Sequence, residues 1–259
     1  MVNQKGGVGK TTTAVNLAAA LAGVPRTVLL VDLDPQGNAT MGSGVDKRAL
    51  GRSIYQVLLG MCSAEEALLT TPFGFDLLPS NRDLAAAELE LVGLEGRENR
   101  LARALRTLKD RHAVVVIDCP PSLSMLTLNG LCAAEGVVIP MQCEYYALEG
   151  LSDLVNTVRK VQANFNPRLQ ALGLLRVMFD ARITLAQQVS EQLAEHFGDK
   201  VFATLIPRNV RLAEAPSHGM PGLVFDPSSR GAKAYAAFSA EFLARIEKGS
   251  QRSDNAGRR

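Results

Sequence analysis

Residues 5–12, Lys5-Gly6-Gly7-Val8-Gly9-Lys10-Thr11-Thr12, set three glycines and two lysines directly ahead of a helical pattern. Glycines let backbone N–H groups close around phosphate oxygens without Cβ clashes, and a helix N-terminus adds a favourable dipole. On that reading Lys10 reaches the β- and γ-phosphates and the Thr11 hydroxyl holds Mg²⁺. The strict G-x-x-x-x-G-K-[ST] pattern is not met, because Gln4 stands at its first glycine and Lys5 follows. The bland alternative is a Gly-rich turn with chance lysines.

Two further segments carry carboxylates. Asp32-Leu33-Asp34-Pro35-Gln36-Gly37-Asn38 follows an apolar run and reads as a switch loop over phosphates, or as a polar turn capping a strand. Phosphoryl transfer needs a residue that orients the attacking water, and Asp34 is the candidate; Asp32 reads as structural or outer-shell. The run Ala113–Ile117 ends at Asp118, followed by Cys119-Pro120-Pro121-Ser122. An aspartate delivered by a hydrophobic strand beside a phosphate loop can hold Mg²⁺ directly or through water. Cys119 reads as packing rather than as a reactive thiol.

Such loops need a scaffold that brings them together. Apolar runs at Thr27–Asp32, Phe75–Pro79, Ala113–Asp118, Gly136–Pro140, Leu172–Phe179 and Lys200–Ile206 read as strands. They alternate with helical patterns near Lys10–Ala22, Asn81–Val92, Arg97–Asp110, Leu123–Ala134, Ala147–Phe165, Ala186–Phe197 and Gly231–Glu247. Near-continuous Val/Leu/Ile strands separated by helices predict an α/β fold, a single doubly wound, mostly parallel sheet with helices on both faces. In such sheets ligands bind beyond the carboxyl ends of the strands. The expected organisation is one P-loop domain over residues 1–249 and a polar, disordered tail over 250–259.

The 259 residues are 47% hydrophobic and 21% charged, a globular balance. Four cysteines without C-x-x-C spacing argue against a disulfide scaffold or zinc ribbon and for a reducing compartment. Net charge is +2, but residues 1–150 carry 13 Lys/Arg against 16 Asp/Glu and the remainder 15 against 10. A basic second half is compatible with a polyanionic partner. No apolar run approaches the ~20 residues that span a bilayer. Lys5 and Lys10 ahead of Ala14–Val24 imitate a secretory signal, but Asn16 interrupts the stretch and phosphate chemistry explains what precedes it better.

The string at residues 5–12 resembles the deviant Walker A loop of the ParA/MinD family of P-loop ATPases. The residues Asp32–Asn38 match that family's D-x-D-P-Q-G-N. Met141–Gly150 (MQCEYYALEG), Ile206–Gly219 (IPRNVRLAEAPSHG) and Asp226–Tyr235 (DPSSRGAKAY) look like its short, Soj-like ParA branch. The resemblance runs over essentially the whole chain. It implies a weak, Mg²⁺-dependent ATP hydrolase that segregates chromosomes or plasmids, with ATP and Mg²⁺ as cofactors. Lys5, Lys10 and Asp34 are then catalytic, Lys5 reaching the phosphates of the opposing subunit in an ATP-sandwich homodimer. Residues Lys5, Gly6, Gly7, Val8, Gly9, Lys10, Thr11 and Thr12 bind the phosphates, and Met178, Pro207 and Arg208 lie near the adenine. Thr11 and Asp118 hold the metal. Arg182 and Arg211, with Arg230 and Lys233 as outer support, contact non-specific double-stranded DNA, and a ParB-like partner stimulates the hydrolysis that releases it. A cytoplasmic, nucleoid-associated protein without membrane binding is expected.

Other readings stay open. A MinD-like division regulator would need a terminal membrane helix, and residues 250–259 are polar. An iron–sulfur carrier of the superfamily would need clustered cysteines. A positioning ATPase for a non-DNA cargo is barely separable by sequence, and a metabolic kinase would need an acceptor site. Three departures from the family pattern stand out. Only Met1-Val2-Asn3-Gln4 occupies the place of an apolar first strand, so the start is expected upstream or the chain truncated, with neighbouring strand edges unpaired. Ile183-Thr184 replaces an expected Thr-Asn, and Met220 stands where relatives often carry lysine.

Overall fold

The computed structural model describes residues 1–23, 27–145 and 147–256. Strand β1 (Val28–Asp32) is apolar until its last residue and buried at all five positions, as a strand covered on both faces must be. Six more strands follow: β2 (Leu69–Thr70), β3 (Asp76–Leu78), β4 (Val114–Asp118), β5 (Gly136–Met141), β6 (Gln170–Phe179) and β7 (Val201–Pro207). They form two ladders, β2-β3-β1-β4 and β5-β6-β7. Every pairing is parallel except β2 with β3.

The single sheet expected from the sequence is therefore divided, and the division falls where the short first segment sits. Residues 1–3 lie between the ladders and bond to both. The Met1 amino group donates to Ile117 O (2.5 Å), and Cys119 N donates to Met1 O (3.2 Å). On the other side Val2 N donates to Val138 O (3.2 Å) and Asn3 Nδ2 to Pro140 O (2.8 Å). The expectation of unpaired neighbouring edges is corrected at the carboxyl ends of β4 and β5, where these bonds satisfy groups that would otherwise be orphaned.

Alternation along β1 sends Leu29 and Val31 to one face and Val28 and Leu30 to the other, into two separate cores. The first packs under helices Met125–Ala133, Ala147–Asn164 and Thr184–Phe197. The second packs under Lys10–Ala22 and Arg230–Ala256, where Leu17, Leu21, Phe202, Tyr235 and Phe238 are fully buried. Asn16, which breaks the apolar run of the first helix, has a packing reason. It is buried, accepts from Leu223 N (3.0 Å) and donates to Thr12 O (2.8 Å).

Several boundaries differ from the sequence expectation. The helix expected over Arg97–Asp110 is an α-helix only at Arg100–Ala104, with 3₁₀ turns on either side. Asn129 of a neighbouring helix takes the Leu101 amide and donates to Arg97 O, so tertiary bonds override the local pattern there. Five helices of four to six residues and the two-residue β2 had no periodic signature. The last helix runs through Ala256, because no proline interrupts the polar residues that follow Glu247. Part of the expected disordered tail is thus helical, and residues 257–259 lie outside the described residues. Among the described residues no helix is long and apolar enough to cross a membrane.

Strand β7 ends its ladder, and the last helix covers that edge. Glu241 accepts from Ala203 N (2.8 Å), Thr204 N (2.9 Å) and Thr204 Oγ1 (2.8 Å), and pairs with Arg245 (3.0 Å). Arg245 in turn donates to Leu172 O and Val201 O and lies 3.9 Å over the Phe202 ring. Burial pushes the Glu241 carboxyl up, but these donors outweigh it and hold it below the ordinary glutamate value. Its stabilisation is thus present above the unfolded value and drains away as pH falls through the lowered native one. Glu241→Ala should cost about 2–3 kcal/mol by removing the acceptor of the Ala203 and Thr204 amides and the ion-pair partner of Arg245. Denaturant titration should show a lower midpoint at an unchanged slope.

Candidate active site

The loop at residues 5–9 turns on two glycines in the left-handed region, Gly7 (φ 75°) and Gly9 (φ 73°). Helix Lys10–Ala22 starts immediately after Gly9 with no side-chain cap. Its first-turn amides therefore have no intrahelical acceptor and face the loop, the arrangement that takes an anion. Gly6 and Gly7 are open to solvent while Val8 is buried, pinning the loop to the core. Lys10 is buried, and its ammonium donates to Lys5 O (3.0 Å) across the mouth of the loop. Burial lowers its pKa, opposed by the carboxylates of Asp118 and Asp34 beside it.

Parallel pairing of β1 with β4 sets Asp32 opposite Asp118, both wholly buried. Asp32 is satisfied: it accepts from Thr40 N (2.8 Å), Thr40 Oγ1 (2.8 Å) and Asp34 N (3.1 Å). Asp118 is not. Neither of its carboxylate oxygens has a hydrogen-bond partner, a costly state for a buried acid. Burial raises Asp118 to about 6, with the Thr11 hydroxyl and Lys10 beside it pulling the other way. Burial and the Asp118 charge raise Asp32 to about 7. An orphaned buried carboxylate next to the Thr11 hydroxyl fits a hard divalent cation such as Mg²⁺.

The remaining candidates fall into three places. Lys5 turns outward with its side chain 56% exposed and pairs with Glu144, a residue the sequence reading passed over. Met178, Pro207 and Arg208 come together where β6 and β7 end: Phe179 is opposite Pro207, and Arg208 N donates to Phe179 O (3.3 Å). Met178 is the one non-glycine with positive φ (51°) among the described residues, and its methyl lies against Gly9. Such strain marks many ligand sites. A cavity of about 400 Å³ also opens beside Thr11 and Thr12, lined by Asn16, Asn38, Met41 and Leu212 and by none of those three residues.

The four basic candidates are all exposed, but two are already paired. Arg182 grips Asp180 with Nε (2.9 Å) and a terminal nitrogen (2.6 Å), which holds Asp180 well below the usual carboxylate range. Arg211 reaches Glu214 (2.9 Å) and Asp226 (3.5 Å). Arg230 and Lys233 begin the last helix, whose Gly231 packs on Leu212 and so brings them to the corner that holds Arg211. Arg182 stands apart at the end of β6. Burial lifts the Cys119 thiol to about 11, so it is inert at neutral pH.

Comparison with known proteins decides the family. Residues 1–171 match the family described as AAA domain. The chain is 52% identical to the sporulation initiation inhibitor protein Soj of Bacillus subtilis, over 94% of this chain and 97% of Soj. It is 53% identical to the chromosome-partitioning ATPase Soj of Thermus thermophilus, over 95% of each. This chain belongs to the ParA/Soj-type partition ATPases of the ParA/MinD family. The fold agrees with a Mycobacterium smegmatis crystal structure described as cobyrinic acid a,c-diamide synthase with bound ADP and magnesium. That match has a TM-score of 0.85 and 43% identity, over 96% of this chain and 94% of the other. As a ParA/Soj ATPase, the protein is an ATP hydrolase.

The two raised carboxyls give this ParA/Soj ATPase a pH signature. Between the ordinary aspartate value of 3.8 and about 6 to 7, the native state holds protons that the unfolded chain has released. Stability without metal therefore falls as pH rises through that window. Asp118→Asn should raise the melting temperature in EDTA at pH 8 and flatten its change between pH 5 and 8. A steeper change in the variant would contradict the assignment.

Proposed function

We propose that this ParA/Soj ATPase works as an ATP-dependent chromosome-partitioning switch whose ATP-bound sandwich dimer binds DNA without sequence preference. The observation that carries this reading is the orphaned Asp118 carboxylate, beside Thr11 and Lys10 at the uncapped start of helix Lys10–Ala22. ATP and Mg²⁺ are the cofactors. Thr11 and Asp118 would hold Mg²⁺, which would supply positive charge against the phosphoryl oxygens. The amides of residues 6–12 and Lys10 bind the phosphates and place the terminal phosphoryl in line with water. Asp34 orients that water. Lys5, exposed on the same edge, exchanges its Glu144 partner for the phosphates of a second subunit, which makes hydrolysis depend on dimerisation. Met178, Pro207 and Arg208 take the base.

DNA binds at Arg211, Arg230 and Lys233, with Arg182 as a second contact. Phosphates must displace Glu214, Asp226 and Asp180 from the two arginines, which weakens each contact, and counterions released from every neutralised phosphate make affinity fall with salt. A ParB-like partner accelerates hydrolysis and releases the dimer. The protein is then cytoplasmic and nucleoid-associated while ATP lasts.

The test is binding to a random duplex at moderate salt with ATP, with ADP and without nucleotide. ATP-specific binding supports the switch; equal binding in all three states overturns it. Arg211→Ala should keep ATP-dependent dimerisation and lower DNA affinity, with a salt slope reduced by about 1. Lys10→Ala should abolish ATP binding in a direct titration. Asp34→Ala should trap the ATP-bound dimer on DNA, seen as a lost turnover rate and a prolonged residence time.

A further inference from the structure

We infer that Ser80 is a positioning residue for Asp34, acting through a closed ring of hydrogen bonds that fixes the loop at residues 34–40. The inference rests on the reading of Asp34 as the residue that orients water. Ser80 follows β3 and is wholly buried. Its hydroxyl donates to Asp34 O (2.8 Å) and its amide donates to Thr40 Oγ1 (2.9 Å). Thr40 Oγ1 donates onward to Asp32 Oδ2, and Asp32 Oδ1 accepts from Asp34 N (3.1 Å). The ring runs Asp34, Ser80, Thr40, Asp32 and back to Asp34, so the Asp34 amide is held by the end of its own strand and its carbonyl from beyond the neighbouring β3. Gly37 N also donates to Asp34 O (2.8 Å).

The loop between the ring's anchors is equally constrained. Gly37 has φ 60°, and a Cβ built on it would meet Ser80 O at 2.6 Å. Lys47 Nζ donates to Gln36 O from outside. Within this frame the Asp34 side chain accepts from Gln36 N at Oδ1 (2.9 Å). Its other oxygen stays available for a water. A hydroxyl on the Asp34 carbonyl fixes the direction from which that carboxylate leaves the backbone. Misplacement by about 1 Å is enough to cost a large factor in rate. Ser80 is wholly buried and acts by holding Asp34.

The experiment compares single-turnover ATP hydrolysis and ATP affinity in the full chain and in Ser80→Ala, Asp34→Asn and the double variant. Ser80→Ala should hydrolyse roughly tenfold more slowly, with ATP affinity within about twofold of the parent. The double variant should be no slower than Asp34→Asn alone, because removing Asp34 leaves Ser80 nothing to position. Slow hydrolysis in Asp34→Asn with parental hydrolysis in Ser80→Ala overturns the positioning role. A double variant slower than Asp34→Asn by the full Ser80→Ala factor overturns it too, since Ser80 would then act independently. Parental hydrolysis in Asp34→Asn overturns the reading of Asp34 instead, and is distinguishable on that ground. If Ser80→Ala does not fold, Thr40→Val breaks the same ring at its next member and is held to the same outcomes.

Discussion

Two carboxylates in register on adjacent parallel strands, both wholly buried, are the constraint around which this molecule is arranged. Like charges so placed cannot share one environment, and the protein gives them opposite ones. Asp32 receives three donors from its own loop and becomes a structural anchor. Asp118 receives none, and remains the acid that a cation would satisfy. The donors that quieten Asp32 belong to the segment carrying Asp34, so one device supports the interior and shapes the loop above it. Lys10 sits against the same group of acids and gives up ordinary solvation to do so.

The gathering of these residues was legible because each lies within a short, contiguous stretch whose residue types have few other uses together. The glycines at 7 and 9 take the left-handed conformations their spacing implies. Asp34 and Asp118 follow apolar runs that became strands, and strand ends converge in a parallel sheet. Thr40, Ser80 and Glu144 were not legible. Each acts on a partner 8 to 139 residues away in sequence, and no local pattern marks a serine that will meet a distant carbonyl. The same limit explains the fold. Helix Lys10–Ala22 matches its periodic stretch to the residue, whereas the 97–108 segment is reshaped by Asn129 from another helix.

Charge balance was the least transferable sequence signal. The second half carries an excess of basic residues, but Arg182 and Arg211 spend their charge on acids two to fifteen residues away. Net charge describes the far field, while the near field at each guanidinium is almost neutral. A surface built in this way attracts a polyanion weakly until the local acids are displaced, which favours reversible contact over tight capture.

The short segment at residues 1–3 has a mechanical consequence. No backbone hydrogen bond joins β4 directly to β5 among the described residues, so the two ladders meet through a keystone three residues long. The hydrogen bonds of Met1, Val2 and Asn3 bridge that gap immediately beneath the phosphate loop they lead into. Side-chain packing closes the same gap, because both hydrophobic cores run under the two ladders alike, Val31 with Ile139 in one and Leu30 with Val138 in the other, which makes the ladders one cooperative unit. The phosphate loop is therefore anchored at its entrance to β4 on one side and β5 on the other, and a displacement of either strand end reaches the loop directly.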